Sequence, residues 1–200
     1  MPIGGMDTVN LNVARSHIKN WGILKKDIEV FIKLDQYLMR QIVGSHSKVP
    51  IELLYLETSS IPLEFILASR RLNYLHNVLT KNENELVKSV FFAQQINPNK
   101  GDWCLLVEKD MKLVNIKMTE SEIMLMSKTK FKNHVKKCVA AAAFESLKCI
   151  QSEHEKVKHI EYKSSRIQPY LISASFSYEE SCMLFNMRAN TVNGFKMCVP

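Results

Sequence analysis

Aspartate is scarce in this sequence, and its scarcity excludes more than any other feature. The 200 residues contain five, Asp7, Asp27, Asp35, Asp102 and Asp110, and no two are adjacent. Polymerases and magnesium-dependent nucleases hold metal ions between closely placed carboxylates, so no such centre is expected. Two close acidic pairs, Glu120/Glu122 and Glu179/Glu180, fall where helices begin, and the four later aspartates read as caps or helix surface. With 6 Gly and 6 Pro the chain has neither the turns of a dense β-sandwich nor a glycine-rich phosphate loop. The 5 cysteines (Cys104, Cys138, Cys149, Cys182, Cys198) are odd in number and form no CxxC. That pattern suits reduced thiols in a cytoplasmic or nuclear protein better than a disulfide frame. Met1–Trp21 lacks the apolar core of a secretory leader. No apolar run approaches the ~20 residues of a membrane span. A soluble protein with no metal, cofactor or membrane partner is expected.

What is present is apolar, helical and basic. A hydrophobic content of 46% with 24% charged residues is enough for one sizeable core. Residues 1–22 read as a loose lead-in, 23–152 as a helical domain, and 153–200 as a basic linker with one C-terminal helix and a frayed tail. Asp27 is a candidate N-cap for a first helix ending at Gly44. Pro50 and Pro62 open helices over Ile51–Leu56 and Leu63–Leu79. Glu85–Ile96 is amphipathic and stops at Asn97-Pro98-Asn99-Lys100-Gly101. Asp102 caps the next helix, whose buried stripe is read as Trp103, Leu106, Val107, Met111 and Val114. Thr119 with Glu122, and Ser177 with Glu180, form capping boxes. Ser127 or Thr129 caps the longest helix, about Lys128–Ser152, with its alanine-rich centre at Ala140–Ala143. The fold class is all-α, an irregular bundle of about seven to eight helices.

The net charge is +7, and most of it sits in one place. From Lys128 to Arg166 there are ten Lys/Arg against four Glu, whereas the rest of the chain is close to balanced. Lys128, Lys132 and Lys136 are four apart and share one side of the long helix, beside an apolar row of Phe131, Val135, Cys138 and Ala142. Such lysines can track phosphates as flexible point charges without reading bases. The plainer alternative is a solvated face that only keeps the protein soluble. Lysines early in a helix also oppose its dipole, at about 0.3–1 kcal/mol each in low salt. His134 and Cys138 are spaced to share a metal, but no recognised ligand spacing completes a site. Trp103 and Tyr74 fall in apolar stripes and read as core before they read as base-stacking platforms.

Several segments are individual enough to compare. HSKVPIELLYLETSSIPLEFILASRRLNYLHNVLT (His46–Thr80) and NPNKGDWC (Asn97–Cys104) resemble the region after the polymerase palm in non-LTR retrotransposon endonuclease–reverse transcriptases. The likeness continues through Leu24–Gly44, FKNHVKKCVAAAAFESL (Phe131–Leu147), QPYL (Gln168–Leu171) and EESCMLFNMRA (Glu179–Ala189). In that family the paired polymerase aspartates lie upstream of the matching stretch, and a cysteine–histidine knuckle commonly follows it. Neither is expected in this chain, since Cys198 has no second ligand after it. The resemblance implies a thumb-like, non-catalytic fragment that binds RNA or DNA non-specifically. Arg70, Arg71, Lys128, Lys130, Lys132, Lys136 and Lys137 are the candidate phosphate contacts. The rival expectations are a helical protein-interaction module with an exposed apolar face, and a degenerate relic without a selected role.

Overall fold

The computed structural model describes residues 25–45, 48–83, 85–99, 101–155 and 157–189. The lead-in 1–22 with Trp21, the tail with Cys198, and Lys156 lie outside the described residues. The all-α expectation holds: the described residues form nine helices and no strand. They are α1 (Lys25–Val43), α2 (Ile51–Thr58), α3 (Leu63–Leu79), α4 (Leu86–Ile96), α5 (Trp103–Leu113), α6 (Glu120–Leu125), α7 (Lys128–Glu153), α8 (Pro169–Ile172) and α9 (Tyr178–Arg188).

Helix ends explain most of these boundaries. Both capping boxes form, with Thr119 on α6 and Ser177 on α9 accepting from the amides of Glu122 and Glu180 while those carboxylates reach back. The Ser127 hydroxyl accepts from the Lys130 amide at 3.4 Å and so caps α7. Three helices close the same way, with a left-handed residue after the last turn: Gly44 after α1, Ser59 after α2, Asn115 after α5. In each case the following amide reaches back to the helix, as Ser45 N does to Arg40 O at 3.0 Å.

Two caps differ from expectation. Asp27 lies inside α1, which already begins at Lys25. Asp102 occupies the N-cap position of α5, but its carboxylate turns back to accept from the Asn99 amide at 2.8 Å. The aspartate closes the preceding turn and leaves the helix amides alone.

The chain divides into two compact units, Met1–Leu63 with Ser146–Pro200, and Glu64–Glu145. In the first, α1 packs on α2, and α9 packs on both α1 and α8. Its core includes Met39, Leu53, Leu54 and Phe185, each at most a few per cent exposed. Residues 153–168, the first part of the stretch read as a basic linker, are tied into this core through buried Val157, Ile160 and Tyr162. Gln151, near the end of α7, donates to the carbonyls of Val157 and, at 3.3 Å, Ile160.

In the second unit α4 packs on α5. An aromatic cluster joins α3, α4 and α5, with Trp103 edge-on to Tyr74 (centroids 5.5 Å) and to Phe91 (5.1 Å). The buried stripe of α5 runs through Cys104, Val107, Asp110 and Val114, whereas Leu106 of the expected stripe is exposed. The register is set by Asp110, whose carboxylate must point inward to meet Arg71. On α7 the buried row is Phe131, Val135, Val139 and Ala143, four apart throughout. It faces inward beside His76, which stacks on Phe131 (5.2 Å) and lies 2.9 Å from Met126 O through Nε2.

Candidate nucleic-acid interface

All five candidate lysines, Lys128, Lys130, Lys132, Lys136 and Lys137, are exposed on the first three turns of α7. They lie within the unit Glu64–Glu145. The apolar row Phe131–Val135–Val139 fixes which side of α7 turns inward, and the lysines take what remains. From Lys128 to Phe144 the helix has no Asp or Glu, and among the described residues no carboxylate pairs with any of the five. Ion pairs of this unit lie elsewhere, among them Arg71–Asp110 and Lys81–Glu85, each at 2.5 Å, and Lys112–Glu108 at 2.7 Å.

The lysines form two rows. At about 100° per residue, Lys132 and Lys136 lie on one flank of the buried stripe, with Lys128 one turn before them. Lys130 and Lys137, seven apart, lie on the side roughly opposite the buried stripe. The first row is visible in the sequence as an i, i+4 repeat, and the i, i+7 interval of the second is a same-face spacing as well.

The two arginines part company. Arg70 is exposed on α3. Arg71 forks onto Asp110, Nε to Oδ2 at 2.5 Å and Nη2 to Oδ1 at 2.8 Å. The Asp110 side chain is 4% exposed against 29% for Arg71. Asp110 is therefore no surface residue, and Arg71 neutralises a buried carboxylate where a free phosphate contact had been expected.

Other candidate chemistry is sparse. The Cys138 thiol sits 3.6 Å from His134 Nε2 on α7, and no group of three or more potential metal ligands occurs among the described residues. His154 lies 3.5 Å from Glu52 Oε2. Tyr74 and Trp103 are engaged with each other, so neither stands ready as a stacking platform.

The polar group that sequence reading missed altogether is Glu57. It is fully buried on α2 and accepts hydrogen bonds from the Tyr162 hydroxyl, the Tyr170 hydroxyl at 2.7 Å and Arg188 Nε at 3.0 Å. Burial, reinforced by the Glu57 charge, pushes both tyrosine hydroxyls far above their usual range. For Arg188 burial works against the charge, and Glu57 together with the Tyr162 hydroxyl more than compensates, leaving the guanidinium raised. Glu57 pairs with partners more than a hundred residues away in sequence, a relation no local pattern can reveal.

No protein-family model, curated protein or solved structure matches this chain. No helix among the described residues is long and apolar enough to cross a membrane.

Proposed function

We propose that this protein is a non-catalytic, nucleic-acid-binding helical segment related to the post-palm, thumb-like region of non-LTR retrotransposon endonuclease–reverse transcriptases. The observation that carries this reading is the exposed face of α7, where five lysines stand in ten residues with no acid from Lys128 to Phe144. Nothing in the unit's core needs those charges. The first two also oppose the dipole of their own helix, whose first turn has no acidic residue. Such a face neutralises phosphates and releases condensed counterions, so affinity falls steeply with salt. Arg71 drops out of the contact set because its guanidinium already holds Asp110.

The test is the salt dependence of binding to short duplexes and single strands. Each phosphate neutralised should add a slope near −0.9 in log K against log salt for duplex DNA, and about −0.7 for single strands. Replacing the five lysines by glutamine should flatten that slope. Absent binding at low salt, or a slope that survives the fivefold change, overturns the reading.

A second reading, of a protein-interaction module, is favoured by one further observation. Helix α4 exposes Leu86 (77%), Val90 and Ile96 (86%), and α5 exposes Leu105, Leu106 and Leu113. The two helices pack on each other, so one hairpin carries several exposed apolar side chains. Both readings can be true of the same unit. Loss of self-association or partner capture in a Leu86→Asp, Ile96→Asp double variant, with nucleic-acid binding intact, would separate them.

A further inference from the structure

The two lysine rows on α7 are separated by a strip of a different character. Measured round the helix, the Lys132/Lys136 row and the Lys130/Lys137 row lie roughly 130° apart on the outward side. Between them fall Thr129, Asn133 and Ala140, all on the outward face, with Thr129 and Asn133 exposed. None carries a charge. The outward surface is thus a lysine edge, a narrow strip of small or amide side chains, and a second lysine edge.

Resting on the nucleic-acid reading above, we propose that α7 seats lengthwise in the major groove of B-form DNA. In this arrangement Lys132 and Lys136 contact one sugar–phosphate backbone and Lys130 and Lys137 the other. Asn133 and Thr129 face the base edges.

The dimensions agree. The major groove is about 12 Å wide and admits one α-helix, whose diameter with side chains is about 10–12 Å. A helix lying in it meets phosphates on both flanks at once, and a single lysine row would serve only one. Lys128 to Lys137 rises about 13 Å along the axis, several phosphate steps. The strip that meets the groove floor is free of the long side chains that would hold the helix away. Asn133 carries an amide able to pair with the N6 and N7 edge of adenine, and the Thr129 hydroxyl can donate or accept. An A-form RNA duplex does not offer this fit, because its major groove is deep and too narrow for side chains to read. A single strand offers one backbone and engages one row.

The experiment measures anisotropy of the full chain with a 20-base-pair DNA duplex, an RNA duplex of matching sequence and the DNA single strand, over a range of salt. The expected order places the DNA duplex tightest, with the four flanking contacts contributing about −3.6 to the slope. K132Q/K136Q and K130Q/K137Q should each remove about half of that contribution. N133A should keep the slope and broaden the set of sequences recovered from a randomised duplex pool. Methyl green, which occupies the major groove, should displace the protein, and netropsin, a minor-groove ligand, should not.

Equal or tighter binding of the RNA duplex or the single strand overturns the groove proposal, and so does displacement by netropsin. A slope carried entirely by one lysine pair overturns it as well. In each of those cases nucleic-acid binding itself survives. Absence of salt-dependent binding to all three ligands sinks the underlying reading too. All five positions are exposed, and circular dichroism of each variant confirms that helix content is unchanged.

Discussion

Arg188, in the last turn of α9, places its Nε 3.0 Å from the carboxylate of Glu57, which has no exposure to solvent. With the hydroxyls of Tyr162 and Tyr170 on the same carboxylate, a single buried charge gathers α2, α8, α9 and the chain between them. Removing it leaves three donors without their acceptor. Glu57→Ala should destabilise the protein by about 3–5 kcal/mol, the usual range for breaking a buried charge pair. Glu57→Gln keeps an acceptor oxygen and should lose less, because only the charge and one acceptor site go. Chemical denaturation of the two variants checks the ranking, and equal losses would contradict it.

The same cluster sets the alkaline limit of stability. Tyr162 and Tyr170 titrate above the ordinary tyrosine value in the folded protein, first through burial and then through the Glu57 charge. A group whose folded pKa is raised contributes stability that is complete below its unfolded pKa and lost as pH rises through the folded one. Stability should therefore fall from about pH 10 upward. Tyrosinate absorbance near 295 nm should show two residues that ionise only as the fold is lost. In Glu57→Gln their onset should move down, and an unmoved onset would remove Glu57 from the explanation.

Gly44 answers for the junction of α1 and α9. Its φ is +61°, and a Cβ there would meet the Cys182 sulfur, with Cys182 Cβ at 3.1 Å and the Tyr178 hydroxyl at 3.3 Å. Gly44→Ala should cost about 1–2 kcal/mol from the left-handed backbone alone, with a further loss from the contact. Adding Cys182→Ala should recover the part due to the sulfur and leave the backbone part and the two remaining contacts. Complete recovery would mean that the φ value carries no penalty at this site.

Arg71 distinguishes fold from interface. Lysine at this position keeps the charge but cannot fork onto Asp110, so Arg71→Lys should lower stability by about 1–3 kcal/mol. The salt slope for DNA should stay where it was. A reduced slope with unchanged stability would return Arg71 to the phosphate contacts.

What could be read from the sequence was what is local. Thr119/Glu122 and Ser177/Glu180 each need only four residues to declare a helix start, and both boxes formed. Gly44 ended α1 for an equally local reason, since its left-handed backbone is the conformation glycine adopts at least cost. The α5 stripe failed at Leu106 because a buried ion pair, Asp110 with Arg71 thirty-nine residues earlier, turned the helix. Hydrophobic periodicity alone places an aspartate outside. Residues 153–168 failed similarly: Val157, Ile160 and Tyr162 are too sparse for any period, and Tyr162 is inside because Glu57 needs a donor. The lysines of α7 were legible as a cluster, whereas their division into two edges depends on which side Phe131, Val135 and Val139 bury.

The discontinuity of the first unit also bears on how the chain folds as it is made. Carbonyl ends of α1 are met by side chains of α9, Gln41 O by the Tyr178 hydroxyl at 2.9 Å and Gly44 O by the Asn186 amide at 3.1 Å. A nascent chain emerging N-terminus first presents α1 and α2 long before those donors exist. The unit Glu64–Glu145 is continuous and can close during translation, whereas its neighbour waits for the last helix. At ordinary synthesis rates that interval is on the order of ten seconds. Throughout it Glu57 lacks the three donors that meet it in the finished fold, so the unfinished unit should be more open to chaperones and proteases than the completed one.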